Sequence, residues 1–138
     1  MEVVILADAK EIGAVAADAI GALLGRRPDA VLGLATGSSP LAIYDELAAR
    51  CDAGLISFHD TVMYTTLSPC SMCAGAIGLF KLSLLVIGES ETFPGSKDIL
   101  SKFNIPFIDL SDERSINMMK NWRSNPANER VWQGDIGN

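Results

Sequence analysis

Thr61-Val62-Met63-Tyr64-Thr65-Thr66, followed by Leu67-Ser68-Pro69 and then Cys70-Ser71-Met72-Cys73, is the stretch that decides the fold. Its first six residues are mostly β-branched or aromatic and read as a strand. Ser68-Pro69 punctuates the run and opens a helix expected from about Cys70 to Lys81. A strand that passes straight into a helix is half of a βαβ unit, and the unit recurs on either side. Upstream, Val3-Val4-Ile5-Leu6 and Ala30 to Leu34 are short apolar runs of the kind that a doubly covered parallel strand shows. Between them Ile12, Val15, Ala16, Ile20 and Leu23 recur at helical spacing until Gly25-Arg26-Arg27-Pro28. A second helix carries Leu41, Tyr44, Leu47 and Ala48 on one face, with Ser39 as its expected N-cap and Pro40 at its first position. Downstream, Leu84 to Gly88 and Pro106 to Leu110 read as strands, with a short helix near Lys97 to Phe103 between them. A last long helix starts near Ser111-Asp112-Glu113 and carries Ile116, Met119 and Trp122. The tail from Pro126 to Asn138 is polar apart from Trp132.

Five alternating units predict a parallel sheet with right-handed crossovers. Order 1-2-3-4-5 would leave one face bare, whereas 2-1-3-4-5 covers both. Because the strands are apolar on both sides, the expected architecture is a single α/β domain over residues 1–138. It is a three-layer αβα sandwich with a five-stranded parallel sheet in the flavodoxin-like order 2-1-3-4-5. In that order ligands gather at the crevice between strands one and three, between Asp8–Glu11 and Leu67–Cys73.

Composition narrows the function. Of 138 residues, 49% are hydrophobic, which supplies a core, and the formal net charge of −6 removes the phosphate attraction that nucleic-acid binding needs. An acidic surface also disfavours anionic membranes, and no apolar run is long enough for a span. The start of the chain lacks the basic residues of a secretion signal. An odd count of 3 cysteines, two of them in a C-x-x-C pair, suits a reducing compartment. The expected location is cytoplasmic.

Residues 1–58 resemble the N-terminal part of glucosamine-6-phosphate deaminases. The resemblance runs through Val31-Leu32-Gly33-Leu34-Ala35-Thr36-Gly37-Ser38-Ser39-Pro40, Tyr44 and Ala53-Gly54-Leu55-Ile56-Ser57-Phe58. It implies that Thr36, Gly37, Ser38 and Ser39 hold a sugar phosphate, and a phosphate or sulfate ion is expected there. A glycine-containing turn into a helix start is chemically suited to an anion. A well-capped helix end facing water is the competing reading.

Residues 59–138 are similar to the C-terminal part of fungal-type cytosine deaminases. That similarity runs through Asp60 to Cys73, Gly75-Ala76-Ile77, Val86-Ile87-Gly88-Glu89, Asp112-Glu113-Arg114 and Asp135-Ile136-Gly137. It implies zinc on Cys70 and Cys73, and a base-binding remnant made of Phe93, Trp132 and Asp135. In that family a His-x-Glu motif supplies the third ligand and the general acid/base, and this sequence has none. The only histidine, His59, precedes a strand that Cys70 follows, so ~20 Å separates them. Asp8 is the candidate third ligand, and two reduced thiols packed on the sheet are the competing reading. Cys51 is expected in the core. The sugar-phosphate relatives' later catalytic residues are missing too.

Two unrelated resemblances meeting at Phe58/His59 imply an engineered chimera, and no catalytic residue is assigned. The expected function is a non-catalytic fold without a complete active site, and the rival origin is a natural divergent deaminase. The functional alternatives are a weak zinc-dependent cytosine deaminase and a phosphate-binding module. No cofactor is expected beyond zinc at a degenerate site. A homodimer is an open expectation.

Overall fold

The computed structural model describes residues 3–35 and 37–135, the side chain of Asp135 excepted. The chain forms two compact units, Met1–Phe58 and His59–Asn138.

The first unit is a pair of helices, α1 (Ala9–Arg26) and α2 (Leu41–Asp52). Asp8 caps α1, its side chain accepting from the Glu11 N–H at 2.9 Å. At Gly13 a Cβ would run into the Ala42 carbonyl, so glycine is what lets α1 approach α2 this closely. Arg50 ties the helices together, reaching Asp18 at 2.7 Å, Glu46 at 2.9 Å and the Ala14 carbonyl at 3.2 Å. Proline, not serine, holds the N-cap of α2. Pro40 is helical there, with no side-chain cap bond, which corrects the expected Ser39 cap. Cys51 is exposed, which corrects its assignment to the core.

The second unit is built on β1 (Val62–Leu67), β2 (Leu84–Glu89) and β3 (Phe107–Asp109), all parallel and in the order β1-β2-β3. The helices are α3 (Ser71–Leu79), α4 (Lys97–Lys102), α5 (Glu113–Arg123) and α6 (Pro126–Asp135). Period-two alternation sorts the strands' side chains. Leu85 and Ile87 point to one face and join Ala74, Ile77, Leu100 and Ile105 in the core, with Met63 and Phe107 packed against it. Gly88 points to the other face, where a Cβ would strike Ser115 of α5. Helices therefore lie on both faces of this sheet, although Tyr64 and Ile108 stay 75% and 49% exposed.

The α/β class with a parallel sheet holds, but the five-stranded order 2-1-3-4-5 does not describe what forms. Among the described residues the sheet has three strands, and neither Val3–Leu6 nor Ala30–Leu34 is one of them. Apolar content makes a segment fit to be a strand; a ladder partner makes it one. Ile5 and Val31, 91% and 93% exposed, have the first without the second.

Candidate functional site

β1 ends at Leu67, and the chain turns through Ser68-Pro69 into α3, with Cys70 as its N-cap. Three contacts fix this turn. The Ser68 N–H donates to the Glu89 carbonyl at 2.9 Å, carrying the ladder one step past β1. Ser68 Oγ donates to the Pro94 carbonyl at 3.1 Å, and the Ser96 N–H donates to the Pro69 carbonyl at 2.9 Å. The segment after β2 thus lies across the start of α3. Gly95, at φ +68°, makes this possible, because a Cβ there would meet Ser68 Oγ and the Pro69 carbonyl.

Cys70 and Cys73 stand three residues apart at the start of α3, Cys70 as its N-cap and Cys73 in its first turn. The backbone N–H groups at the start of α3, that of Cys73 foremost, hold the Cys70 thiol below its ordinary value against the burial that raises it. Desolvation and the neighbouring Cys70 push Cys73 the opposite way. Cys70 is half-buried and Cys73 exposed. Such a pair can anchor a thiophilic ion as two thiolates. It does not complete a site: among the described residues no three His, Cys, Asp or Glu side chains come together as a metal set. His59 lies before β1 and Cys70 after its far end, ~20 Å along the strand. Asp8 spends its carboxylate on the α1 cap.

Of the expected base-binding residues, Phe93 and Trp132 do meet, edge to face with ring centroids 6.1 Å apart. Trp132 is buried in α6 against Trp122 at 6.5 Å, and the Arg123 guanidinium lies 5.0 Å from its ring. The Asp135 side chain lies outside the described residues, as does Thr36. Gly37, at φ +98°, and Ser38 and Ser39 are all exposed ahead of α2.

Two features escaped sequence reasoning. Glu89 is fully buried; its Oε2 accepts from the Thr92 N–H at 2.8 Å, while Oε1 has no hydrogen-bond partner among the described residues. Only its place at the end of an otherwise apolar strand signalled burial. The second is a polar cluster at the ends of β2 and β3. Lys97 Nζ reaches Asp109 Oδ2 at 2.6 Å and Ser90 Oγ at 2.8 Å, and Ser90 also donates to Asp109. Burial works against the charged Asp109 carboxyl, but Lys97 and Ser90 outweigh it and hold it below its ordinary value.

Residues 41–89 match the family described as "Cytidine and deoxycytidylate deaminase zinc-binding region", a stretch that contains Cys70 and Cys73. Glucosamine-6-phosphate deaminase of Mycolicibacterium smegmatis is 65% identical over 65 residues, which is 47% of this chain and 25% of that protein. The same enzyme of an Arthrobacter species is 78% identical over 50 residues, 36% of this chain and 19% of that protein. Cytosine deaminase of Candida albicans is 34% identical over 98 residues, 69% of this chain and 64% of that protein. The chain thus spans a quarter or less of the length of those two glucosamine-6-phosphate deaminases and under two thirds of the cytosine deaminase. Shares of 47% and 69% exceed one chain together, so the two likenesses overlap instead of meeting at one residue. These findings overturn the expectation of a non-catalytic engineered fold. Both sets of relatives are deaminases, and the zinc-binding match falls on the cysteine pair. What the chain resembles, along both segments, is deaminases.

Proposed function

We propose that the second unit is the zinc-anchoring part of a hydrolytic nucleobase deaminase acting on a cytosine-like base. Cys70 and Cys73 are then two of its three protein ligands. The observation that carries this reading is the pair of cysteines three residues apart at the start of α3, inside the stretch matched by the zinc-binding region. When bound, the metal supplies an activated water. Two donors fit such an ion and nothing among the described residues fits a third position. The chain's own contribution is therefore to hold the metal by two thiolates and to present Phe93, braced edge-on by Trp132, as an apolar surface for a flat base.

The likeness of the first unit to the sugar-phosphate enzymes accounts for the missing donors. The helix before the cysteine pair, α2, comes from the segment that resembles the sugar-phosphate enzymes and carries no His-x-Glu.

Metal analysis and an ammonia assay test the reading. Protein purified under reducing conditions is expected to retain zinc through dialysis and to lose it in Cys70→Ser. Zinc-dependent ammonia release from cytosine is expected at about 10²–10⁴-fold below a complete site, the usual cost of a missing general acid/base. Cys73→Ala should abolish it. Zinc-free wild-type protein, or ammonia release indifferent to Cys73→Ala, overturns the proposal.

A further inference from the structure

Among the described residues the buried polar side chains are Ser68 and Glu89, and both hold the same segment, one on each side of Phe93. Glu89 Oε2 accepts from the Thr92 N–H at 2.8 Å, and Ser68 Oγ donates to the Pro94 carbonyl at 3.1 Å. Packing does not explain Glu89. Its Oε1 has no hydrogen-bond partner among the described residues, and neither has the buried hydroxyl of Thr92. A desolvated carboxylate oxygen without a partner destabilises a fold, and an apolar side chain of similar volume would fill the place without that cost. What the carboxylate does there is done by its other oxygen, on Thr92. Ser68 stands two residues before Cys70, and the Ser96 N–H donates to the Pro69 carbonyl beside it at 2.9 Å. The segment that carries Phe93 is therefore tied to the end of β2 on one side and to the cysteine turn on the other.

We propose that Glu89 and Ser68 are positioning residues that fix the Phe93 ring relative to the cysteine pair, so that a flat base stacked on the ring is held at the metal-anchoring end of α3. Neither residue touches the base. Glu89 is fully buried and acts through the Thr92 backbone, Ser68 acts through the Pro94 carbonyl, and Trp132 braces the ring between them at 6.1 Å. The bond to the Thr92 N–H needs an acceptor and not a charge. Glutamine supplies one and leucine does not. The holding of the ring stands on these hydrogen bonds alone, whereas what the ring faces rests on the deaminase reading above.

Glu89→Leu and Glu89→Gln, made in the full chain, are compared with wild type by three measurements. These are the NMR resonances of the Phe93 ring protons, which the Trp132 ring shifts, the denaturant midpoint, and zinc-dependent ammonia release from cytosine. The Phe93 resonances are assigned by their loss in Phe93→Leu. In Glu89→Leu they are expected to move toward the positions of an unstructured phenylalanine, while the denaturant midpoint stays at or above that of wild type. KM for cytosine should rise about tenfold, the cost of losing one aromatic contact with a base, and kcat should change less than about twofold. Glu89→Gln should restore both the resonances and KM. Phe93 resonances that stay in place in Glu89→Leu, or that move equally in Glu89→Gln, overturn the proposal, as does an unchanged KM. If Glu89→Leu does not fold, Ser68→Ala decides in its place: it releases Pro94 and should move the same resonances, and unmoved ones overturn the proposal. Wild-type protein that releases no ammonia sinks the deaminase reading alone, because the Phe93 resonances still decide whether Glu89 and Ser68 hold the ring.

Discussion

At the scale of single residues, Asp109 is one of three carboxyls, with Asp112 and Glu129, that make the protein acid-sensitive. Its carboxyl is held below the ordinary value of 3.8 by Lys97 and Ser90, so the ion pair stabilises the fold fully above that value. The stabilisation is lost as pH falls through the depressed folded value, where the carboxylate protonates. Asp109→Asn is expected to cost about 1–2 kcal/mol at neutral pH and to flatten the fall in stability in the acid range. Chemical denaturation at a series of pH values reads both effects. Gly95→Ala should be harsher, about 1–3 kcal/mol, since it forces φ +68° on an alanine and drives a methyl into Ser68 and Pro69. Denaturant midpoints check this, and displacement of the turn under Cys70 should show as weaker zinc retention. The cysteine pair was legible from spacing alone. Glu89 was not, because a buried carboxylate is defined by what covers it, and the segment from Ser90 to Ser96 that does so carries no periodic signal.

At the scale of elements, the second unit was readable because each strand there has both an apolar run and a neighbour to ladder with. The expected strands at Thr61–Thr66, Leu84–Gly88 and Pro106–Leu110 lie within a residue of β1, β2 and β3 at each end. The first unit's apolar runs looked the same in sequence, but periodicity reports which face is apolar, not whether a partner exists. α6 was missed for a different reason: its polar composition masked a start signal. Asn125 accepts from the Ala127 N–H at 2.9 Å, with Pro126 in the first helical position, a cap that the sequence spelled out. The cap of α5 is stronger. Asp112 accepts from both the N–H and the hydroxyl of Ser115, at 3.0 Å and 2.9 Å. Asp112→Ala is expected to destabilise the protein by about 1 kcal/mol, and Asp112→Asn by much less, as read from thermal midpoints. Because Ser115 also abuts Gly88, loosening this cap should register in the hydrogen exchange of β2.

At the scale of the whole molecule, apolar surface is the outstanding feature: Val3, Ile5, Val31, Leu34 and Tyr64 are each at least 63% exposed. Exposed apolar side chains in this number recruit other chains. Light scattering should show concentration-dependent association, and the double change Ile5→Lys with Val31→Lys should reduce it while leaving the thiol chemistry of α3 unchanged. Association that the lysines leave untouched would place the sticky surface elsewhere. No described helix is long and apolar enough to cross a membrane. The order β1-β2-β3 has a consequence for time as well as for shape. Each strand pairs with the next one along the chain, so every crossover closes a modest loop and pays a small entropic toll before its contacts form. During synthesis, this sheet can assemble one strand at a time in the order of emergence, with no early strand waiting for a late one to be inserted beside it.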